Sequence, residues 1–194
     1  MKVVEVLVKD ENGEVVYRTG YNLDLYEEYL KRNTNDLTTL WLWRFFIALF
    51  TPAPLDHTTS FSFTDTGGTA RSQSVKGLVG TYALFLNTDY CVNRFWIGYG
   101  SSSTPPSRTD YKLGSKLGDG VATMTLDEAA GILTFSVSFT ITAATTVYEV
   151  GLEWEGAVAG YGTCGRFLVD RSVFPDGIPV SAGQVLTIIY RFLL

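Results

Sequence analysis

The chain has 194 residues, enough to bury a proper core in one generous domain, and 46% of them are hydrophobic against 18% charged. With 12 Phe, 11 Tyr and 4 Trp, so aromatic and charge-poor a mixture excludes a disordered chain. A formal charge of -5, a pI near 4.9 and 15 scattered Lys and Arg argue against a general nucleic-acid binder, because phosphate neutralisation needs a clustered basic surface.

The N-terminal KVVEVLVKDENGEVVYR, residues 2 to 18, reads as two short β-branched strands around Asp10-Glu11-Asn12-Gly13, where Asn-Gly supplies the positive φ of a tight hairpin. Its charges lack the basic, apolar, small-residue order of a signal peptide, so the expectation is a chain that starts at Met1. Thr34-Asn35-Asp36 then suits a helix N-cap, and the run LTTLWLWRFFIALF from Leu37 to Phe50 predicts an apolar helix stopped by Pro52 and Pro54. At 14 residues with Arg44 inside, the run is short of the roughly 20 that span a bilayer, so no membrane span is expected. Leu37, Leu40, Trp41, Arg44, Phe45, Ala48 and Leu49 would form one face, yet Leu42, Trp43, Phe46, Ile47 and Phe50 make the other nearly as apolar. Such a helix needs cover on all sides, either from its own fold or from a neighbouring subunit. On the second reading Trp41, Trp43, Phe46, Ile47 and Phe50 are the candidate interface residues.

From Thr58 the period changes to two. ILTFSVSFTI (132 to 141) sets Leu133, Phe135, Val137, Phe139 and Ile141 against Thr134, Ser136, Ser138 and Thr140, a strand with one wet face. VYEVGLEWE (147 to 155) and QVLTIIYRFLL (184 to 194) alternate likewise. Further strands are expected at 60 to 65, 81 to 87, 94 to 100, 121 to 127 and 166 to 174. Between them lie Thr66-Gly67-Gly68, Pro105-Pro106, Gly118-Asp119-Gly120, Glu128 to Gly131, Pro175-Asp176-Gly177 and Ala182-Gly183, all read as turns. About eight strands without intervening helices indicate a mainly β antiparallel sandwich, although periodicity does not separate jelly-roll from immunoglobulin-like order. The expected organisation is a hairpin-and-helix docking segment over 1 to 57 and a β-sandwich domain over 58 to 194.

Little in the sequence looks like chemistry. Gly98-Tyr99-Gly100-Ser101 lacks both the Gly-Lys-Ser/Thr ending and the following helix of a phosphate loop, so WIGYGSSSTPPSRTDYKL (96 to 113) reads as a long surface turn. The single histidine, His57, sits beside Asp56 in a Pro-rich linker without the further ligands of a metal site or the serine of a triad. Cys91 and Cys164 lie outside any metal-ligand spacing, and either a cross-strand pair or two buried thiols fits them. Glu149, Glu153 and Glu155 share one face of a strand, as glycosidase carboxylates can. Residues four apart on a strand are about 13 Å apart, too far for a retaining pair, so Asp127 or Asp170 would have to supply the partner, and a solvated face explains the acids equally well. Trp154 alternates with core residues. Tyr99, Tyr111 and Tyr161 stand in Gly-rich loop contexts and are the candidate surface-contact residues, for sugar or for a subunit. No catalytic, cofactor-binding or metal-binding residue is assigned.

The order of these motifs resembles the jelly-roll or β-sandwich structural proteins of tailed phages and archaeal viruses. W-I-G-Y-G precedes T-P-P-S-R-T-D-Y-K-L, then come VATMTLDEAAGILTFSVSFTIT, E-V-G-L, RFLVDRSVF and P-D-G-I-P-V-S-A-G-Q-V-L-T-I-I-Y-R-F, over about residues 34 to 194. The resemblance implies a jelly-roll sandwich in which Asp110 and Leu113 anchor the return of the loop after a core strand. It likens Glu149-Val150-Gly151-Leu152 to an E-x-G-L strand followed by a strand bearing Arg166 or Arg171, and TNDLTTLWLWRFFIALF to an N-terminal helical segment. It further implies a non-enzymatic virion component: capsid decoration, turret or vertex, tail or fibre. The partners would be copies of itself, other virion proteins and a host-surface glycan or receptor.

Overall fold

The structure is a computed structural model that describes residues 2–19, 37–38, 60–74, 94–127, 129–157 and 164–193. The expected first hairpin is present as β1 (Lys2–Lys9) and β2 (Val15–Thr19). Its turn is tied by Asp10 Oδ1, which accepts the amides of Asn12 and Glu14 at 2.9 Å each, and Gly13 takes a φ of 82°. The later strands are β3 (Leu37–Thr38), β4 (Ser60–Thr64), β5 (Ala70–Ser74), β6 (Arg94–Gly100), β7 (Lys116–Val121), β8 (Thr123–Asp127), β9 (Ile132–Thr140), β10 (Thr145–Ala157), β11 (Cys164–Val180) and β12 (Val185–Leu193).

Two five-stranded antiparallel sheets form a sandwich: sheet A in the order β2-β1-β12-β9-β8 and sheet B in the order β3-β11-β10-β6-β7, while β4 and β5 pair with each other. The N-terminal hairpin is built into sheet A, with β1 in register against β12 from Lys2↔Phe192 to Lys9↔Val185. Alternation along each strand explains the core. Val4, Val6 and Val8 of β1 meet Leu186, Ile188 and Tyr190 of β12, Ile97 of β6 and Leu152 and Trp154 of β10, all buried. Fully burying each such side chain contributes about 1.5–3 kcal/mol. Aromatic pairs cross between the sheets, with Phe95 4.5 Å from Phe135 and Tyr99 4.8 Å from Phe139 between ring centroids.

At one edge of the sandwich a single stretch of chain passes from one sheet to the other. Residues 116–127 run as β7 in sheet B, bend at Ala122 and continue as β8 in sheet A, with the Ala122 amide donating to the Phe95 carbonyl at 2.8 Å. Gly118 and Gly120 make this close approach feasible. The Tyr99 ring lies 2.7 Å from where a Cβ on Gly118 would stand, and Val137 and Phe139 crowd the same position at Gly120. These glycines therefore lie within a strand, not in the turn expected at Gly118-Asp119-Gly120.

Three further expectations about the fold are overturned. Leu37 and Thr38, placed by sequence at the start of an apolar helix, form β3, with Thr38 opposite Asp170 and Leu37 opposite Arg171, and no helix occurs among the described residues. The remainder of that run, 39–50, lies outside the described residues. The physical reason is that a run apolar on nearly every side has no period to separate helix from strand. The strand order is also not that of a jelly roll, in which successive strands mostly alternate between sheets. Among the described strands β6–β7, β8–β9 and β10–β11 each complete a hairpin within one sheet before the chain crosses. Pro175-Asp176-Gly177 likewise does not separate two strands. It bulges out of β11 between Val173↔Glu149 and Ile178↔Val147, with Gly177 at a φ of 65°.

Candidate functional site

The outer face of sheet B carries the most concentrated chemistry of the described residues. On β10 the alternation sends Glu149, Gly151, Glu153 and Glu155 outward, and on β6 it does the same for Arg94, Trp96, Gly98 and Gly100, whose partners across the ladder they are. An unbroken β11 could not supply two arginines to this face, because residues five apart point to opposite sides. The register steps between Leu152↔Asp170 and Glu153↔Leu168, leaving Val169 as an inserted residue, so that Arg166 and Arg171 both face outward. A second bulge acts alike on β7. Tyr99 faces Gly118 and Gly100 faces Lys116, Leu117 is the extra residue, and Lys116 joins Asp119 on the outer side.

Glu149 is 0% exposed and is the centre of a clamp. Its Oε2 accepts from Arg171 Nε at 2.7 Å and from the Gly114 amide at 3.0 Å, and its Oε1 accepts from the Ser115 amide at 2.7 Å. Arg171 then reaches further, donating through Nη1 to Asp110 Oδ2 at 2.8 Å and through Nη2 to the Thr104 carbonyl at 3.1 Å. Asp110 also accepts the Ser107 amide at 2.9 Å. The result is that the loop 101–115 is held from both ends by one buried ion pair. Leu113, 2% exposed, closes the space below: its methyls fall about where Cβ atoms on Gly98 and Gly151 would be, at 3.0 and 2.8 Å. Pro106 is buried as well.

A second cluster lies beside the clamp. Glu153, also 0% exposed, has Lys116 Nζ 2.7 Å from Oε1, an ion pair without an aligned hydrogen bond, and Arg166 Nη1 3.5 Å from Oε2. Asp119 Oδ2 receives Arg166 Nη1 at 2.5 Å and Lys116 Nζ at 3.1 Å. The Arg166 guanidinium lies 3.5 Å from the Trp96 ring centroid and that of Arg94 4.7 Å away, while Trp96 Nε1 and Arg94 Nε both donate to Glu155 Oε2, at 2.6 and 2.7 Å. The β4–β5 turn rests on this cluster: the Thr66 amide donates to the Arg166 carbonyl at 2.9 Å, and Gly68 lies against the Tyr111 ring.

Burial by itself would raise the Asp119 carboxyl, but the hydrogen bonds and charges of Lys116 and Arg166 outweigh it and hold the group below its usual range. Glu155 is lowered in the same way, burial being outweighed by the hydrogen bonds from Arg94 and Trp96 and the charge of Arg94 and Arg166. The contact of Lys116 with Asp119 therefore stays ionic.

Of the glutamates that sequence spacing offered as glycosidase candidates, Glu149 and Glu153 are buried against cations, and Glu155 is half-buried and paired with Arg94 and Trp96. Asp127 is exposed and accepts the Ala130 amide at 3.0 Å, and Asp170 is buried next to Ser172, whose hydroxyl donates to it at 3.2 Å. Asp110 and Leu113 both hold the loop, and Arg166 and Arg171 both face β10. Tyr99 is half-buried on the inner face against Phe139, and Tyr111 is half-buried in the loop with Lys112 Nζ 5.5 Å from its ring centroid. Tyr161, Trp41, Trp43, Phe46, Ile47, Phe50, Asp56, His57 and Cys91 lie outside the described residues, as does the Cys164 side chain. Lys116, Asp119 and Arg94 were not singled out by sequence, since the bulge that turns Lys116 outward leaves no signal beyond a Gly-rich stretch. Among the described residues no group of three or more His, Cys, Asp or Glu is placed to hold a metal ion. Comparison with protein-family models, with curated proteins and with solved structures finds no match to this chain.

Two outcomes are expected from this geometry. Arg171→Met leaves Glu149 buried without its cation and should lower stability to urea by about 3–5 kcal/mol while opening the loop to trypsin at Arg108 and Lys112. Arg18→Met, which removes an exposed partner of Glu5 and leaves Arg191 in place, should cost about 1 kcal/mol or less. An Arg171→Met protein as stable as its parent contradicts the clamp. For pH, carboxyls with lowered folded values stabilise the fold above their unfolded values, near 4, and that contribution is lost as pH falls through the folded values. Thermal melts should therefore be flat from neutral pH to about 5 and drop below about 4, with a shallower acid limb for Asp119→Asn.

Proposed function

We propose that this chain is a structural, self-assembling component of a virion surface, in which the sandwich is a rigid holder and the 101–115 loop is what it presents. One observation carries the reading: the buried Glu149–Arg171 pair grips a loop rather than facing an open cleft. Loops this long inside compact domains are mostly functional, and one fixed in advance loses less freedom when it meets a partner. The motif order that resembles phage and archaeal-virus sandwich proteins supports the virion setting. Copies of the chain and other virion proteins are the partners of this reading.

A second reading, a carbohydrate- or receptor-binding module, is favoured by the composition of the loop's exposed part. Ser101, Ser103, Thr104, Ser107 and Thr109 are all exposed, a hydroxyl-rich surface that also carries the exposed cations Arg108 and Lys112.

Sedimentation velocity of the full chain over a wide concentration range, with negative-stain microscopy of the same samples, tests the choice. Discrete oligomers that grow with concentration are expected. A compact monomer at every concentration removes the assembly reading, and a glycan-array signal lost on Arg108→Ala would move the assignment to the second.

A further inference from the structure

The sheet edges are protected to different degrees. An exposed edge strand offers unpaired amides and carbonyls to any other chain, and proteins blunt such edges with charge, bulges or glycine. On β7 the bulge at Leu117, the glycines 118 and 120 and the charges of Lys116 and Asp119 do this. On β2 the register breaks near Val8/Lys9 and Arg18 lies within the strand. Among the described residues the β8 edge has none of these devices. All five residues of TMTLD are exposed, its pairing with β9 runs without a break from Thr123↔Ser136 to Asp127↔Ile132, and its one charge is at the last position.

The side chains on β8 are apolar where a covered strand would be. Met124 and Leu126 lie opposite Phe135 and Leu133 of β9, on the side that faces the core, yet they are 58% and 53% exposed. A two-fold axis through Thr125 would place Met124 of one copy opposite Leu126 of the other, twice, and Thr123 opposite Asp127, twice. No like charges would meet. Across the joined sheet the row would read Phe135, Met124, then Leu126 and Leu133 of the second copy, the apolar cross-strand pairing that stabilises antiparallel sheets.

We propose that β8 is a self-complementary docking edge through which two copies of this chain pair antiparallel about Thr125, joining their two A sheets into one. The inference rests on the assembly reading and names its contact. A five-residue strand pair is smaller than the interface of a stable isolated dimer, so pairing is concentration-dependent and gains strength where further contacts hold the copies together.

The test uses the full chain in sedimentation equilibrium. The double variant Met124→Lys, Leu126→Lys sets lysines opposite one another at both apolar pairs, and should weaken dimerisation by on the order of tenfold or more. Both sites are more than half exposed, so its circular dichroism and melting temperature should match the parent. Val16→Lys, on the β2 edge, should leave dimerisation unchanged. In a second arm, Thr125→Cys should give an oxidised dimer whose cross-linked peptide maps to position 125, and Thr123→Cys should not, since opposed positions alone bring two Cβ atoms close enough. If the parent does not self-associate at all, the assembly reading falls and this edge with it. If the parent assembles and the double-lysine variant assembles equally well, or both cysteine variants cross-link alike, the β8 edge is excluded while the assembly reading stands.

Discussion

Glu149 and Arg171 face a constraint that organises much of sheet B. Two charges taken fully out of water lose hydration worth several kcal/mol each, and they are tolerable only if every remaining donor and acceptor finds a partner of good geometry. Glu149 meets that condition with Arg171 and two backbone amides, and Arg171 meets it with Asp110 and a carbonyl. Four of these partners, Thr104, Asp110, Gly114 and Ser115, belong to the 101–115 loop. The loop cannot leave without exposing the sheet's apolar Leu113 seat and stranding a charge. Rigidity of the presented surface is thus tied to the stability of the sandwich beneath it.

Both bulges serve the same constraint. Period-two alternation delivers charges to a face only at even spacing, and the cations needed here sit at 166 and 171 and, with an acid, at 116 and 119. Inserting Val169 and Leu117 shifts the phase once in each strand and gathers these side chains onto one surface. The glycines complete the arrangement by giving up volume. Gly98 and Gly151 admit Leu113, and Gly118 admits the Tyr99 ring. Sheet A solves a smaller version of the problem, with Glu5 buried between Arg18 and Arg191.

Much of the β-ladder was legible from the residues. The period-two runs of β9 and β12 are half-buried strands with one strongly apolar side, the case in which pattern and environment agree. What escaped was set by tertiary context. Leu37–Thr38 pairs with β11, and no local pattern distinguishes that from a helix start. Gly118 and Gly120 signal a turn locally but act as the thin part of an edge strand. Glu153 and Glu149 alternate exactly as solvated acids do, and only the folded neighbours reveal that the wet face is a buried salt-bridged one. Asp110 and Leu113 were placed through the resemblance, whereas the joint use of Arg166 and Arg171 required the bulge.

The account centres on the claim that the loop is part of the folded core. Hydrogen exchange of the Gly114 and Ser115 amides, followed residue by residue in NMR, measures this directly, because their acceptor is the buried Glu149 carboxylate. Both amides should exchange as slowly as the central strands, with opening free energies near that of global unfolding. Exchange as fast as that of the exposed Ser103 amide would contradict the clamp, and with it the view that buried charge holds this loop in one shape.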